Sequence, residues 1–504
     1  MPRRAIALHA GCLILFVCAS VCRADEWERE RTPVGVYVHV DIETAIMGYK
    51  GPASPGDLKL HEYLQGLYKG LLADRAIAGI TAGRRWDNIQ KEDPVCIVDR
   101  SCMIGTDGND WSYLDDVFEA AHAARKPVQL ILTPGVDSPP WLFAKIPPCD
   151  DLFTKGSAPS DCGTMKFAGF PEAQRADSHI FPMPWNKVYQ EAWADFLVCL
   201  NGRYKDDPAF IAVAVAGPNG ASDEIILPTS ANDKKPQPSG ELVDQTWADL
   251  IHHSFPHVAS YQNTDQAFID AWKQAIDTYE RIFRGITLVL SPDSGNDLPE
   301  FSDSIPAHPD RLYDEDCGKV NHEVMSCEAK TEILWYFVSL NGPNEKATQV
   351  GGMAASTNPD PGDIGIAGVK LLTSLWPPPW PRIQGGAEFD HSVSGTTKER
   401  EGCRTFPDPK CKPLTVVDAA YNVLTVFFDG TPAAKFYGGT WGPAPIEYLE
   451  VPLEDVQYAE ANPCPVKAST VHGKTSLQDL LNQASHDLFE MAGRFGPLPP
   501  HTCP

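Results

Sequence analysis

Positive charge is scarce in this sequence. Only 42 lysines and arginines stand against 67 aspartates and glutamates in 504 residues, a formal net charge of −25. So acidic a surface repels phosphate backbones and anionic lipid, which removes nucleic acid and membrane surfaces from the expected partners. Long apolar runs are missing after the first 21 residues, so no later segment is expected to cross a bilayer. No G-x-S-x-G elbow, Gly-rich nucleotide turn or zinc-protease helix occurs, which argues against esterase, kinase, dehydrogenase and metalloprotease chemistry together. Charged residues are also few, at 22%, beside 43% apolar and 10% aromatic residues. That balance excludes long disorder and a coiled coil and describes a chain that buries a large core.

The first 24 residues have the pattern of a signal peptide. Arg3 and Arg4 precede the apolar stretch from Ala5 to Val21, and Cys22-Arg23-Ala24 offers small residues at a cleavage site before Asp25. His9 and Gly11 interrupt the stretch, which is shorter than the roughly 20 residues of a membrane span. A secreted or periplasmic protein is therefore expected, with residues 25–504 as its mature part.

Cysteine usage fits that compartment. Beyond the leader, most of the 14 cysteines fall into neighbouring couples in loop-like sequence: Cys96 with Cys102, Cys149 with Cys162, Cys317 with Cys327, and Cys403 with Cys411. Local disulfides are the natural reading. Cys464 and Cys503 are left to tie down a C-terminal tail, and Cys199, alone on an amphipathic stretch, is expected as a buried free thiol. None of the couples has the C-x2-4-C spacing of a zinc site, so neither a metal nor another cofactor is expected.

Along the mature chain, short β-rich runs alternate with amphipathic helical runs. The strands are expected at 34–42, 76–86, 127–135, 210–217, 285–291, 347–355, 381–389 and 446–451. Helical patterns follow them at 58–75, 111–125, 185–204, 264–283, 329–340, 364–375, 414–428 and 477–492. Eight strand-then-helix units in order predict an α/β fold, a (β/α)8 TIM barrel with long disulfide-tied loops, in one domain with a C-terminal tail. A doubly wound open sheet would instead be expected to carry a Gly-rich phosphate turn after its first strand, and His39-Val-Asp-Ile-Glu43 is no such turn.

In such a barrel the chemistry belongs at the C-terminal ends of the strands. Asp41 and Glu43 stand there after the first strand, Arg84-Arg85-Trp86 after the second, and Thr133 to Asp137 with Trp141 after the third. The fourth strand runs into Gly217-Pro-Asn-Gly-Ala-Ser-Asp-Glu224, and the seventh ends at Glu388-Phe-Asp390. Carboxylates reaching the mouth from strands four and seven have the arrangement needed to cleave a glycosidic bond with retention: one protonates the leaving oxygen and the other attacks the anomeric carbon. Glu224 and Glu388 are the catalytic candidates, with Asp223 and Glu450 as their alternatives. Trp86, Trp141 and Trp380 are candidate faces for sugar rings, and Arg84 and Asn219 are candidate substrate contacts.

The segments Gly79-Ile-Thr-Ala-Gly-Arg-Arg-Trp-Asp-Asn-Ile89, Asp110-Trp-Ser-Tyr-Leu-Asp-Asp116 and Lys126-Pro-Val-Gln-Leu-Ile-Leu-Thr-Pro-Gly135 resemble the clan of retaining (β/α)8 glycoside hydrolases that includes many β-galactosidases and cellulases. The resemblance implies an acid/base at strand four and a nucleophile at strand seven, hence Glu224 and Glu388, and a poly- or oligosaccharide substrate. The sequence departs from the clan at strand four, where the usual Asn-Glu pair is absent and Asn219 and Glu224 are separated by four residues. That departure supplies the competing expectation, a carbohydrate-binding barrel without catalysis.

Overall fold

The computed structural model describes residues 32–51, 57–94, 109–159, 161–167, 180–220, 264–291, 346–350, 384–388, 446–461 and 476–491, with isolated positions at 225, 227, 228, 247 and 250 and six residues between 332 and 340. Eight parallel strands close into a barrel: β1 (Gly35–Asp41), β2 (Ile77–Arg85), β3 (Val128–Thr133), β4 (Phe210–Ala214), β5 (Thr287–Leu290), β6 (Lys346–Val350), β7 (Gln384–Glu388) and β8 (Ile446–Pro452). Each pairs with its neighbours in sequence order, and β8 returns to β1 with Gly35 opposite Tyr448 and His39 opposite Pro452. Closure leaves no strand edge unpaired, and all eight C-terminal ends lie at one mouth.

The strands alternate between two cores, as a period of two requires. Val36, Val38 and Val40 of β1 belong to the large cluster shared with the helices, whereas Tyr37 packs with Ile211, Ala212, Val289 and Tyr448 in a separate cluster inside the barrel. Tyr37 and Tyr448 meet edge to face at 6.0 Å. The helices follow from their patterns. In α1 (Leu58–Ala73), Leu60, Leu64, Tyr68, Leu71 and Leu72 form a buried stripe behind an Asp57 cap that accepts from the Lys59 N–H. In α2 (Ser112–Ala124) the buried face includes Leu114, Val117, Phe118 and Ala121. α3 (Lys187–Tyr204) starts at Asn186, whose side chain accepts from the Tyr189 N–H. α4 (Thr264–Ile282) lies against helical residues beyond 331 through a Lys273–Glu332 ion pair of 3.0 Å and a hydrogen bond from the Tyr336 hydroxyl to Asp277. α5 (Leu477–Met491) packs on β1 and β8. No helix among the described residues is long and apolar enough to cross a membrane.

The 187–204 helix follows β3 only after a long excursion that includes the antiparallel pair Thr164–Lys166 and Ile180–Pro182. A Cys149–Cys162 disulfide closes this loop, as the cysteine spacing predicts. Cys199 corrects the same reading: it is disulfide-bonded rather than a free thiol. It appeared unpaired because no other cysteine is near it in sequence, which is no guide to its neighbours in space. The leader at 1–24, the other three cysteine couples, Cys464 and Cys503, and the helices expected at 364–375 and 414–428 lie outside the described residues. Replacing Cys149 and Cys162 together by Ala frees a loop of 13-residue separation, and chain entropy puts the expected loss at about 3 kcal/mol. Denaturant titration of both forms checks this.

Candidate active site at the barrel mouth

The first three strands deliver a charged rim. Asp41, the last residue of β1, caps the short helix Ile42–Met47 by accepting from the Glu43 and Thr44 N–H groups, and this turn aims Glu43 across to β2. There Arg84 Nη1 lies 3.2 Å from Glu43 Oε1, and Asn88 Nδ2 donates to the same oxygen at 2.7 Å. Burial pushes the Glu43 carboxyl above the usual carboxylate range, against the pull of Arg84. Arg85, the next residue, reaches Asp87 at 3.5 Å and Asp137 at 3.8 Å.

Asp137 sits in the turn after β3, buried, and accepts from the Thr133 hydroxyl at 3.0 Å. Burial raises its pKa to about 7; Arg85 works against the rise, and Asp87 and Glu43 add to it. A carboxyl whose pKa is higher folded than unfolded adds stability below the unfolded value, about 4, and loses it as pH rises through the folded one. Asp137→Asn is therefore expected to flatten the fall in stability between about pH 4 and pH 7, which denaturation at a series of pH values measures.

The turns after β3 and β4 interlock. Gly135 has φ +69°, and a Cβ there would stand 1.8 Å from the Gly220 carbonyl oxygen, so only glycine fits. Val136 N–H donates to that same carbonyl at 2.9 Å. Tyr189 of α3 bridges the two turns, accepting from Gly135 N–H and donating to the Gly217 carbonyl, while Trp193 Nε1 donates to the Ala216 carbonyl at 3.0 Å. Within this clamp Asn219 is wholly buried, its Oδ1 accepting from Gly217 N–H at 2.8 Å. Its Nδ2 has no hydrogen-bond partner among the described residues, and the same holds for Ser138 Oγ and Glu43 Oε2.

One layer below the rim, Glu450 of β8 points into the barrel with no exposed surface. Its Oε1 accepts from the Thr81 hydroxyl of β2 and from Gln129 Nε2 of β3, each at 2.7 Å, and His39 Nδ1 of β1 lies 3.9 Å from its Oε2. Glu388, the last residue of β7, is the register partner of Glu450 on the neighbouring strand.

The sequence candidates thus divide. Arg84 and Glu388 stand at the mouth-side ends of β2 and β7, and Asn219 stands in the turn after β4. Glu224, Asp223 and Trp380 lie outside the described residues. Trp86 follows β2 as expected, but it is wholly buried among Trp141, Tyr189, Trp193 and Phe196, with its Nε1 donating to Gln90. It braces the wall and offers no open face. Trp141 is half-buried at the rim, edge-on to Trp86, with Lys145 Nζ 4.8 Å from its ring centre. Asp137 was visible in the sequence only as a residue at a strand end; its raised pKa comes from burial, which no local pattern carries. A groove of about 500 Å³ lies outside the barrel wall between α3 and α4, floored by Tyr189, Trp193, Gly217 and Pro218, and none of the rim carboxylates lines it.

No family model and no curated protein sequence matches the chain. Solved structures do resemble it in outline. The catalytic domain of a β-amylase from Paenibacillus polymyxa matches with a TM-score of 0.41 and 12% identity, over 83% of this chain and 93% of that one. A GH10 protein from Paenibacillus barcinonensis gives 0.37 and 12%, over 90% and 95%. An endo-1,4-β-xylanase from Caldicellulosiruptor owensensis gives 0.35 and 10%, over 83% and 84%. The fold itself rests on the strand pairing of this chain.

Proposed function

We propose that the protein is an exported glycoside hydrolase that cleaves a poly- or oligosaccharide with retention, Glu224 serving as acid/base and Glu388 as nucleophile. The observation that carries the reading is the barrel mouth, where Glu43 Oε2, Ser138 Oγ and Asn219 Nδ2 are buried without partners among the described residues. Buried polar atoms left unpaired each cost on the order of 1–3 kcal/mol, so hydrogen bonds from a ligand at the mouth would offset that cost for these three groups. Donors and acceptors mixed in this way, on an acidic protein, suit a neutral polyhydroxylated ligand better than a phosphate. Asn219 would then donate to a sugar hydroxyl, Arg84 would sit beside the charged centre, and Trp141 and Trp380 would pack on sugar rings.

The chemistry assigned to the pair is a double displacement. Glu388 attacks the anomeric carbon while Glu224 gives its proton to the leaving oxygen, and Glu224 then takes a proton from the water that releases the sugar. The absent Asn-Glu pair at β4 favours the second reading, a carbohydrate-binding barrel. A screen of aryl glycosides and cell-wall polysaccharides separates them: release of reducing sugar is expected, saturable binding without product would favour the binding protein, and neither would overturn both.

A further inference from the structure

Arg84 is the basic group nearest Glu43, yet its own Nε and Nη1 make no hydrogen bond among the described residues. Its remaining described support is a ring. The guanidinium carbon lies 4.4 Å from the centre of Tyr113, at the start of α2. On α1, His61 stacks on Tyr113 with ring centres 5.0 Å apart and planes 23° apart. His61 is anchored in turn, its Nδ1 2.5 Å from Asp116 Oδ2, and Gln65 Nε2 donates to the other Asp116 oxygen at 3.1 Å. Both helices therefore build a column that ends on Arg84: Asp116, His61, Tyr113, Arg84, Glu43. A guanidinium over an aromatic face is held by about 0.5–1 kcal/mol when exposed and more when desolvated, and Arg84 is only 4% exposed.

We propose that Tyr113, backed by the His61–Asp116 pair, is a positioning residue that fixes the Arg84 guanidinium against Glu43. The inference rests on the reading of the mouth as a substrate site for its meaning in catalysis, but its geometry is independent of any substrate. The charged and titratable groups around the pair are Asp41 from β1, Asp137 in the β3 turn with Arg85 beside it, Asp110 and Tyr113 at the start of α2, and Tyr68 from α1. Arg84 is the cation paired with Glu43, whereas Arg85 is turned to Asp87 and Asp137, so loosening Arg84 leaves Glu43 beside acids. Rotating the guanidinium away should make the carboxyl harder to ionise.

The test is a titration of Glu43 by carboxyl ¹³C NMR in glutamate-labelled chain, with Glu43→Gln to assign the signal. Tyr113→Phe keeps the ring and should leave the midpoint unchanged. Tyr113→Leu removes it and should raise the midpoint by about half a pH unit, a roughly threefold change in proton affinity. Should the leucine variant not fold, Arg84→Lys serves instead: the ammonium keeps the charge without the planar stack, and the same upward shift is expected. An unchanged midpoint in folded Tyr113→Leu or in Arg84→Lys overturns the proposal, as does an equal shift in Tyr113→Phe. A chain that passes the titration but hydrolyses nothing would overturn the functional reading and leave the column standing; failure of the titration in an active enzyme would do the reverse.

Discussion

Glu388→Gln is expected to lower turnover by about 10⁴-fold or more on every glycoside the protein cleaves, because a nucleophile that cannot attack leaves only binding and electrostatics to act. Activated aryl glycosides should be hit as hard as natural glycans, since both pass through attack on the anomeric carbon. Glu388→Gly opens a cavity at the end of β7, and small anions such as azide should then restore turnover of activated substrates, giving the glycosyl azide of opposite configuration to the normal product. Glu224→Gln should behave differently. General acid help contributes roughly 10²–10⁴-fold and matters most for poor leaving groups, so natural glycans should slow far more than activated ones and the alkaline limb of the pH profile should disappear. A Glu224→Gln rate on natural glycan within a few-fold of the parent would move the acid role to Asp223. Comparing kcat/KM for the two variants on the two classes of substrate checks both assignments.

The second large effect is on stability. Glu450→Ala removes a carboxylate that accepts from Thr81 and Gln129 inside the barrel, taking that acceptor from both donors and opening a void between β8, β2 and β3. Stranding buried groups of this kind costs on the order of 1–3 kcal/mol each, so a loss of about 3 kcal/mol or more is expected, with no change in the denaturant slope. Glu450→Gln keeps an acceptor oxygen and should cost less. An alanine variant within about 0.5 kcal/mol of the parent, the range of ordinary surface changes, would mean that the network does not hold the barrel.

The barrel was legible because its physics is local. Runs such as Phe210–Ala214 are apolar on both faces, as a strand covered by helices must be, and the five full barrel helices described fall on their expected stretches within a few residues. Even β6 and β7, with Gly385 and Gly386 in the latter, stand where the alternation put them. Much of the site was not legible, because it is made by contacts between remote residues. Thr81 and Gln129 lie 369 and 321 positions from Glu450, and nothing in either local sequence announces the other. Trp86 illustrates the opposite failure: an indole at a strand end reads as a sugar platform until Trp193 and Phe196 of α3 cover it. Asp137 gains its proton affinity from burial, against the pull of Arg85 and the Thr133 hydroxyl, a property of the fold rather than of the segment that contains it.

On the proposed mechanism Glu388 forms a covalent bond to the sugar. Once the screen has identified a cleaved glycan, the corresponding 2-deoxy-2-fluoro glycoside with a good leaving group should trap the intermediate, because the fluorine slows both its formation and its hydrolysis while the good leaving group speeds its formation alone. Peptide mass mapping should then find one glycosyl increment, on the peptide containing Glu388. An increment on the peptide containing Glu450 would move the nucleophile to β8, and steady hydrolysis of the parent glycan with inversion and no trapped adduct would rule out a covalent intermediate.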